Sequence, residues 1–145
     1  MIDINEEIKL AMLAKDSVRL ASLRAIKTAF MMVETMKGAS DLTAEGQLKI
    51  IQKQVKQRKD AAAIYQDQGR TDLVEDEMAQ VAVLESFLPE QMSEEEIENA
   101  VKDIIADLGA SSIADMGKVM GVASKQLSGK ADGKVIAAKV RQLLA

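Results

Sequence analysis

Apolar residues recur at helical spacing along most of the chain, and no segment alternates in the way that β-strands do. In the second predicted helix, intervals of three and four residues separate Leu23, Ile26, Phe30 and Val33. Side chains at these intervals lie on one face of an α-helix, where they can pack against a neighbouring helix. The pattern predicts an all-α fold, a multihelical bundle of about seven helices.

Capping residues and glycines predict where the helices begin and end. The first helix is expected from Ile4 to about Lys15. Side chains that favour the N-cap position precede the later helices at Asp16 or Ser17, Thr43, Thr71, Ser93, Ser112 and Asp132. Ser93 has Glu96 three residues later, which is the pattern of a capping box. Glycine tolerates the left-handed conformation that follows many helices, and it predicts helix ends at Gly38, Gly69 and Gly109.

The only proline, Pro89, predicts the boundary between two lobes. Proline disfavours the helical conformation of the residue before it, so the fourth helix should end close to this point. We therefore expect an N-terminal helical lobe over residues 1–89 and a smaller C-terminal lobe of three helices over residues 90–145. Because 48% of the 145 residues are apolar, a helical core can be buried without metal or disulfide.

The residue types that are missing exclude several kinds of site. The sequence contains no Cys and no His, which removes thiolate nucleophiles, disulfides, the commonest general base and the commonest transition-metal ligand. We therefore expect no catalytic residues, no metal and no small-molecule cofactor. No apolar run is long enough to cross a membrane, and the acidic residues near the N-terminus are unlike a signal peptide. These features predict a cytoplasmic protein with no membrane partner.

Charge is strongly segregated along the chain, although the net charge is only −4. Residues 1–70 carry a net charge of +3, residues 71–107 carry −11, and residues 108–145 carry +4. The mean charge is therefore a poor guide to what the protein binds. The acidic and basic segments favour different kinds of partner.

A charged pair is predicted between the third and fourth helices. Arg58 falls on the apolar side of the third helix, and Glu77 falls on the apolar stripe of the fourth. The short connection at Gly69 and Arg70 makes the two helices antiparallel neighbours, which brings the two side chains within reach. We expect a buried structural ion pair that fixes the register of this interface.

Basic residues follow one face of each of the last two predicted helices and the loop between them. On the sixth helix this face lies roughly opposite a predicted apolar stripe of Ile113, Met116, Met120, Ala123 and Leu127. On the seventh it lies opposite Ile136, Val140 and Leu143. The predicted cationic surface comprises Lys118 and Lys125 on the sixth helix, Lys130 in the loop, and Lys134 and Arg141 on the seventh. Such a surface is suited to phosphates.

Two glycines, a basic row and an acidic run each have a structural and a functional explanation. Gly117 and Gly121 lie one turn apart and permit close approach, more often by another helix than by a polynucleotide backbone. On the third helix a basic row of Lys49, Lys53 and Lys56 is either a solvated face or an anion contact. The acidic run at residues 94–96 is explained by its position at a helix N-terminus, so we assign it no catalysis.

Five segments of the chain together resemble the YqeY family. They are Lys56-Gln57-Arg58-Lys59-Asp60, Gly69-Arg70-Thr71-Asp72-Leu73, Phe87-Leu88-Pro89-Glu90-Gln91, Asp115-Met116-Gly117-Lys118-Val119-Met120-Gly121 and Gly129-Lys130-Ala131-Asp132-Gly133. The last two also resemble the C-terminal tail of GatB, which is a component of the bacterial tRNA-dependent amidotransferase, and of its archaeal relative GatE. In that tail Pro usually follows the Asp, whereas Gly133 stands here.

The resemblance implies a binding role. The amidotransferase tail is an all-helical appendage implicated in recognising the elbow of misacylated tRNA, and the amidation chemistry belongs to other domains. Carried over to this chain, tRNA contact is implied for Lys118, Lys130, Lys134 and the backbone around Gly117 and Gly121. A carbon–nitrogen ligase activity with glutamine as amide donor would be a family-level term, which we do not expect of this chain alone.

Two hypotheses from different classes follow. The leading one is a non-catalytic, tRNA-associated binding module, accessory to tRNA amidation or to another step of tRNA handling. With only three aromatic residues, stacking on single-stranded RNA is disfavoured, so a folded RNA read by shape is expected. The alternative is a protein–protein interaction adaptor that contacts its partner through the acidic segment.

Overall fold

The computed structural model describes residues 1–36 and 42–145, and it confirms the predicted all-α fold. Within these ranges the chain forms seven α-helices, one 3₁₀ turn and no strand. The first four helices are α1 (Ile4–Leu13), α2 (Ser17–Thr35), α3 (Ala44–Asp67) and α4 (Thr71–Glu85). The others are α5 (Glu94–Leu108), α6 (Met116–Gln126) and α7 (Gly133–Leu144), with the 3₁₀ turn at Ile113–Asp115.

Most helices begin with a side-chain cap at a residue that the sequence predicts. The backbone N–H two or three residues further along the chain donates to the side chain at each of the predicted caps Asp16, Thr43, Ser93 and Asp132. Asp3 caps α1 in the same way, at a position for which the sequence predicted no cap. Ser93 and Glu96 form the predicted capping box, since each side chain accepts a hydrogen bond from the backbone N–H of the other residue. Gly109 follows α5 in the left-handed conformation, with φ 64°.

Two predicted caps are wrong, and one predicted helix end cannot be compared. α4 begins at Thr71 itself, so Arg70 occupies the N-cap position and makes no side-chain cap. Ser112 also makes no cap, because the chain first forms the 3₁₀ turn and α6 starts only at Met116. The predicted helix end at Gly38 lies outside the described residues.

Two helices end slightly earlier than predicted. α1 stops at Leu13, because Lys15 adopts a left-handed conformation with φ 56° that a continuing helix cannot hold. α3 stops at Asp67, and Gly69 supplies the left-handed turn into α4 with φ 71°. In both cases the left-handed residue reverses the chain direction within a few residues.

The chain packs as two compact units, Met1–Leu88 and Pro89–Ala145, and each has its own core. In the first unit the main cluster of buried apolar residues comes from all four helices and comprises Ala11, Leu23, Ile26, Phe30, Ile51, Val55, Val81 and Leu84, while Ala62 of α3 is buried outside this cluster. Two polar side chains are buried with them. Gln47 Oε1 accepts the N–H of Ile2 at 2.9 Å, and Ser22 Oγ lies 3.4 Å from Gln80 Oε1. Pairing of this kind offsets the cost of removing polar groups from water.

The core of the second unit is formed by one apolar stripe from each of its three helices. Its buried residues are Ile97, Val101, Ile104, Val119, Ala123, Leu127, Ala131, Ile136, Val140 and Leu144. The stripe of α6 is thus centred on Val119, whereas Met116 and Met120 are only half-buried. Ile113, which the sequence places on this stripe, is 50% exposed because it belongs to the 3₁₀ turn.

Candidate nucleic-acid interface

Helix α6 carries its basic residues on the side that faces away from the core. Val119, Ala123 and Leu127 are buried. Successive helical residues are rotated by about 100°, which places Lys118 and Lys125 on the opposite side of the helix. Both lysines are exposed. The outer face of α6 is therefore cationic.

The two glycines of α6 lie on the same outer face and have open space in front of them. Gly117 and Gly121 are exposed, and a Cβ added to either would meet no atom within 4 Å. Packing against another described helix, the commoner reason for such glycines, therefore does not explain them. The bare backbone beside the two lysines is accessible to a binding partner.

Helix α7 repeats the arrangement of α6. Ile136 and Val140 are buried in the core, together with Leu144. Lys134 and Arg141 fall on the opposite side of the helix and are exposed. The predicted stripe residue Leu143 is only half-buried, and Leu144 takes its place.

The loop that joins α6 to α7 is held by hydrogen bonds from the segment before α5. Gln91 Nε2 donates to the backbone oxygen of Gly129 at 2.7 Å and to that of Pro89 at 2.8 Å. The N–H of Met92 donates to the backbone oxygen of Lys130 at 2.9 Å. Gly129 is buried at φ 76°, a conformation that favours glycine. The loop backbone is thus fixed, while the Lys130 side chain is exposed.

Sequence reasoning missed this contact between residues 89–92 and the loop at residues 129–130. Neither segment has a periodic pattern, and the hydrogen bonds join residues 38 positions apart in the chain. Gln91 belongs to one of the family-like segments, and that is the only signal in the sequence that pointed to it.

Charge in the second unit is divided between helices. Neither α6 nor α7 contains an Asp or Glu, and together they contain five Lys and Arg. Helix α5 holds six acidic residues, which are Glu94, Glu95, Glu96, Glu98, Asp103 and Asp107. Its one cation, Lys102, lies 3.5 Å from Glu98. The three helices share one core, and the segment that leads into α5 is hydrogen-bonded to the loop that carries Lys130, so the acidic N-terminus of α5 lies close to that loop.

One carboxylate lies at the start of the basic helix α6. The backbone N–H of Ser111 donates to Asp115 Oδ2 at 3.0 Å. This hydrogen bond is the main cause that holds the pKa of Asp115 below its ordinary value, and the N–H of Ser112 and the charge of Lys118 act in the same direction. Partial desolvation opposes them. The carboxylate thus reaches back over the 3₁₀ turn, which the backbone bond from Asp115 N–H to the Ser112 oxygen closes.

The predicted partners Arg58 and Glu77 lie together in the first unit. Arg58 Nη1 is 3.2 Å from Glu77 Oε2, between α3 and α4. The side chains retain 23% and 21% of their accessible surface, so the pair lies at the edge of the interface and is not enclosed in it. A second pair, Lys59 with Glu85, joins the same two helices at 3.0 Å and is considerably more exposed.

The remaining charged candidates have simple surroundings. Lys49, Lys53 and Lys56 of α3 are exposed, and Lys49 lies 3.4 Å from Glu45 on the same helix.

In the part of the chain that the structure describes, no group of three or more acidic side chains is arranged to hold a metal ion. No helix among the described residues has the length and hydropathy needed to span a membrane.

Comparison with known proteins gives a family match over nearly the whole chain. The model of the family described as Yqey-like protein matches residues 2–144. The family resemblance of the five segments is thereby confirmed.

Curated relatives carry one common name. The altered inheritance of mitochondria protein 41 of Kluyveromyces lactis is 30% identical over 141 residues, which cover 95% of this chain and 72% of that protein. The protein of the same name from Pyrenophora tritici-repentis is 29% identical over 145 residues, covering 97% of this chain and 78% of that protein. Both are named as mitochondrial, whereas the sequence of this chain predicts a cytoplasmic location, which stays a prediction.

Proposed function

Since the chain belongs to the YqeY family, we propose that it is a non-catalytic binding module for tRNA, which contacts phosphates through the outer faces of α6 and α7 and the loop between them. We name this the basic surface, and it comprises Gly117, Lys118, Gly121, Lys125, Lys130, Lys134 and Arg141. The observation that carries the proposal is the exposure of all seven residues on two helices that contain no acidic side chain, and on the loop that joins them.

A phosphate backbone fits this surface on electrostatic and steric grounds. Lysine and arginine release counterions from a polyanion when they neutralise its phosphates, which favours binding. Gly117 and Gly121 add open backbone beside Lys118 and Lys125, where a sugar–phosphate chain can approach the helix closely. Helices α6 and α7 themselves contribute no acidic side chain that would repel the RNA.

Folded RNA suits the surface better than a single strand. Single-strand binders stack bases on aromatic side chains, and the second unit contains no aromatic residue. Shape and phosphate position are the features by which proteins recognise a folded RNA. The resemblance of the last two segments to the amidotransferase tail supports tRNA as the folded RNA, and it supports a role that is accessory to tRNA amidation.

The chain lacks the side chains that most often act as general base or nucleophile in catalysis. The sequence has neither His nor Cys, and the carboxylate that lies closest in sequence to Lys118 is Asp115. The pKa of Asp115 is held below its ordinary value, which makes this carboxylate a weak base. We propose that any amidation chemistry belongs to partner proteins.

The direct test is a titration of labelled tRNA with the purified protein at several salt concentrations. We expect the logarithm of the association constant to fall linearly with the logarithm of salt concentration. Replacement of Lys118 and Lys130 by Glu should weaken binding and reduce the magnitude of that slope by about 2, since each phosphate contact contributes about one unit.

Lys102→Glu is the matched control, because it reverses one charge in the same unit but on the acidic helix α5. It should change the affinity much less than Lys118→Glu alone. Absence of binding by the unaltered protein at low salt would contradict the proposal, as would equal effects of Lys102→Glu and Lys118→Glu.

A second candidate is a protein–protein interaction adaptor. The observation that favours it is the number of large exposed apolar side chains on α1 and α2, which include Leu10, Met12, Leu13, Val18, Met31 and Met32. Exposed apolar residues of this kind are common where proteins associate. Capture of partners from a cell lysate with and without nuclease separates the candidates, since only an adaptor retains its partner proteins after RNA is digested.

A further inference from the structure

Gln91 lies outside the basic surface, yet its side chain holds the loop that carries Lys130. Its amide nitrogen donates to two backbone oxygens, that of Pro89 and that of Gly129. Two carbonyl oxygens on one atom require a donor, so only the nitrogen of the amide fits there. Glu at this position would set a carboxylate oxygen against both carbonyls.

The hydrogen bond of Met92 completes the attachment. Its N–H donates to the backbone oxygen of Lys130 at 2.9 Å, next to the bond from Gln91. Two neighbouring bonds from one short segment restrict both the position and the direction of the loop. Leu127 and Ala131 anchor the loop in the core from its two ends.

The fixed loop has a consequence for the lysine that it carries. A flexible loop would have to become ordered when Lys130 meets a phosphate, and the lost conformational entropy would reduce the affinity. A loop that is already ordered avoids that loss.

We infer that Gln91 is a positioning residue for RNA binding, which acts by holding the backbone at Gly129 and Lys130 so that the Lys130 side chain meets a phosphate. The inference rests on the proposed function. Gln91 lies at the start of the second unit and is distant in the sequence from every residue of the basic surface.

The test is a thermodynamic cycle with the full-length protein and a labelled, transcribed tRNA. Lys130→Ala removes one phosphate contact, which corresponds to a rise in Kd of about eightfold at 0.1 M salt. Gln91→Met keeps the length of the side chain but removes both donors, and we expect it to raise the Kd by roughly threefold, a part of the Lys130 effect. In the Lys130→Ala background Gln91→Met should change the Kd by a factor of about 1, because it acts through the lysine.

Ser93→Ala is the matched control. It removes the cap of α5 close to Gln91 and destabilises the same unit, but it leaves the two bonds to the loop in place. We expect it to leave the Kd unchanged. A rise in Kd as large as that of Gln91→Met, or a full effect of Gln91→Met in the Lys130→Ala background, would overturn the inference.

Amide hydrogen exchange tests the attachment without RNA. Gln91→Met should speed exchange at the N–H of Met92, which donates to Lys130, while exchange at Val101 in the core of the unit remains slow. Unchanged exchange at Met92 would overturn the positioning role even if tRNA binds. Absence of tRNA binding by the unaltered protein, with faster exchange in the variant, would instead contradict the proposed function.

Discussion

Arg58 and Glu77 occupy an environment between the two limits for which ion-pair energies are well known. Exposed pairs contribute about 0.2–1 kcal/mol, whereas removal of one partner from a buried pair costs about 3–5 kcal/mol. Each of these side chains keeps about a fifth of its accessible surface, with values of 23% and 21%. The sequence predicts a buried pair, but the structure leaves both side chains partly exposed. We therefore do not expect the larger energy, which belongs to a buried pair.

We expect a coupling energy of about 1–2 kcal/mol for Arg58 with Glu77, between these limits. The measurement is a double-mutant cycle of unfolding free energies with Arg58→Met and Glu77→Gln. Lys59 and Glu85 give the control cycle, since they join the same two helices with side chains that are 52% and 40% exposed. Equal coupling in the two cycles would show that burial does not strengthen the first pair.

At the scale of single helices, the glycines of α6 are costly to the fold. Glycine inside a helix is less favourable than alanine by about 0.8–1 kcal/mol, and neither Gly117 nor Gly121 is needed to make room for a neighbouring element of the described chain. Neither has a positive φ that would require glycine. No packing contact or backbone conformation in the described part of the chain therefore explains why these two positions are glycine.

Gly121→Ala should therefore stabilise the protein, by up to about 1 kcal/mol, and also weaken its binding to tRNA, because the new methyl group lies between Lys118 and Lys125 along the helix. Thermal unfolding and the salt titration of tRNA give the two readouts. A stabilised Gly121→Ala protein with undiminished affinity would contradict close approach at this helix.

Ser124→Ala is the control for a change in helix propensity alone. Ser124 is half-buried on the same helix, and alanine is the better helix former while it adds no atom to the surface. We expect this variant to be stabilised, by less than Gly121→Ala, and to bind tRNA with unchanged affinity. Equal losses of affinity in the two variants would show that the added methyl group is not the cause.

Helix starts were the part of the fold most accessible from sequence, because a cap depends on residues three positions apart. Ser93 with Glu96 is the clearest case. The predicted start of α6 was wrong because a second polar residue lies close to the predicted cap at Ser112. Asp115 accepts the N–H of Ser111, four residues earlier, and the chain forms a 3₁₀ turn there before α6 begins. Local patterns do not decide between two such polar residues.

The candidate site was only partly accessible from sequence. Helical periodicity was sufficient to place Lys118 and Arg141 on outer faces, since the buried stripe of the same helix defines the opposite side. It could not relate the loop at Lys130 to Gln91, because that contact depends on how distant segments pack. The open space at Gly121 likewise depends on which described elements lie beside it.

At the scale of the whole molecule, the second unit has the parts of an independently folding domain. Its core is contributed entirely by residues 89–145, and the hydrogen bonds that fix its loop begin at Gln91 and Met92 in the same unit. Domains of this size bury only about 60% of their surface on folding, so its stability alone should be modest.

A fragment of residues 89–145 is accordingly expected to be helical by circular dichroism and to unfold cooperatively on heating. It should also retain the salt-dependent binding of tRNA, since the whole basic surface lies within it. Val119→Asp, which places a charge in the core, is the unfolded reference. A fragment that unfolds without a cooperative transition would show that the two units depend on each other for stability.

The acidic helix α5 and the basic helices α6 and α7 together give the second unit an electric dipole moment. In the field of a polyanion such a moment experiences a torque, which turns the positive side towards the phosphates before any contact is made. Encounters would then begin in the productive orientation more often than random collisions do, and the association rate would respond strongly to salt. Helix α5, although it contributes no residue to the basic surface, would thus help to orient the protein towards the RNA.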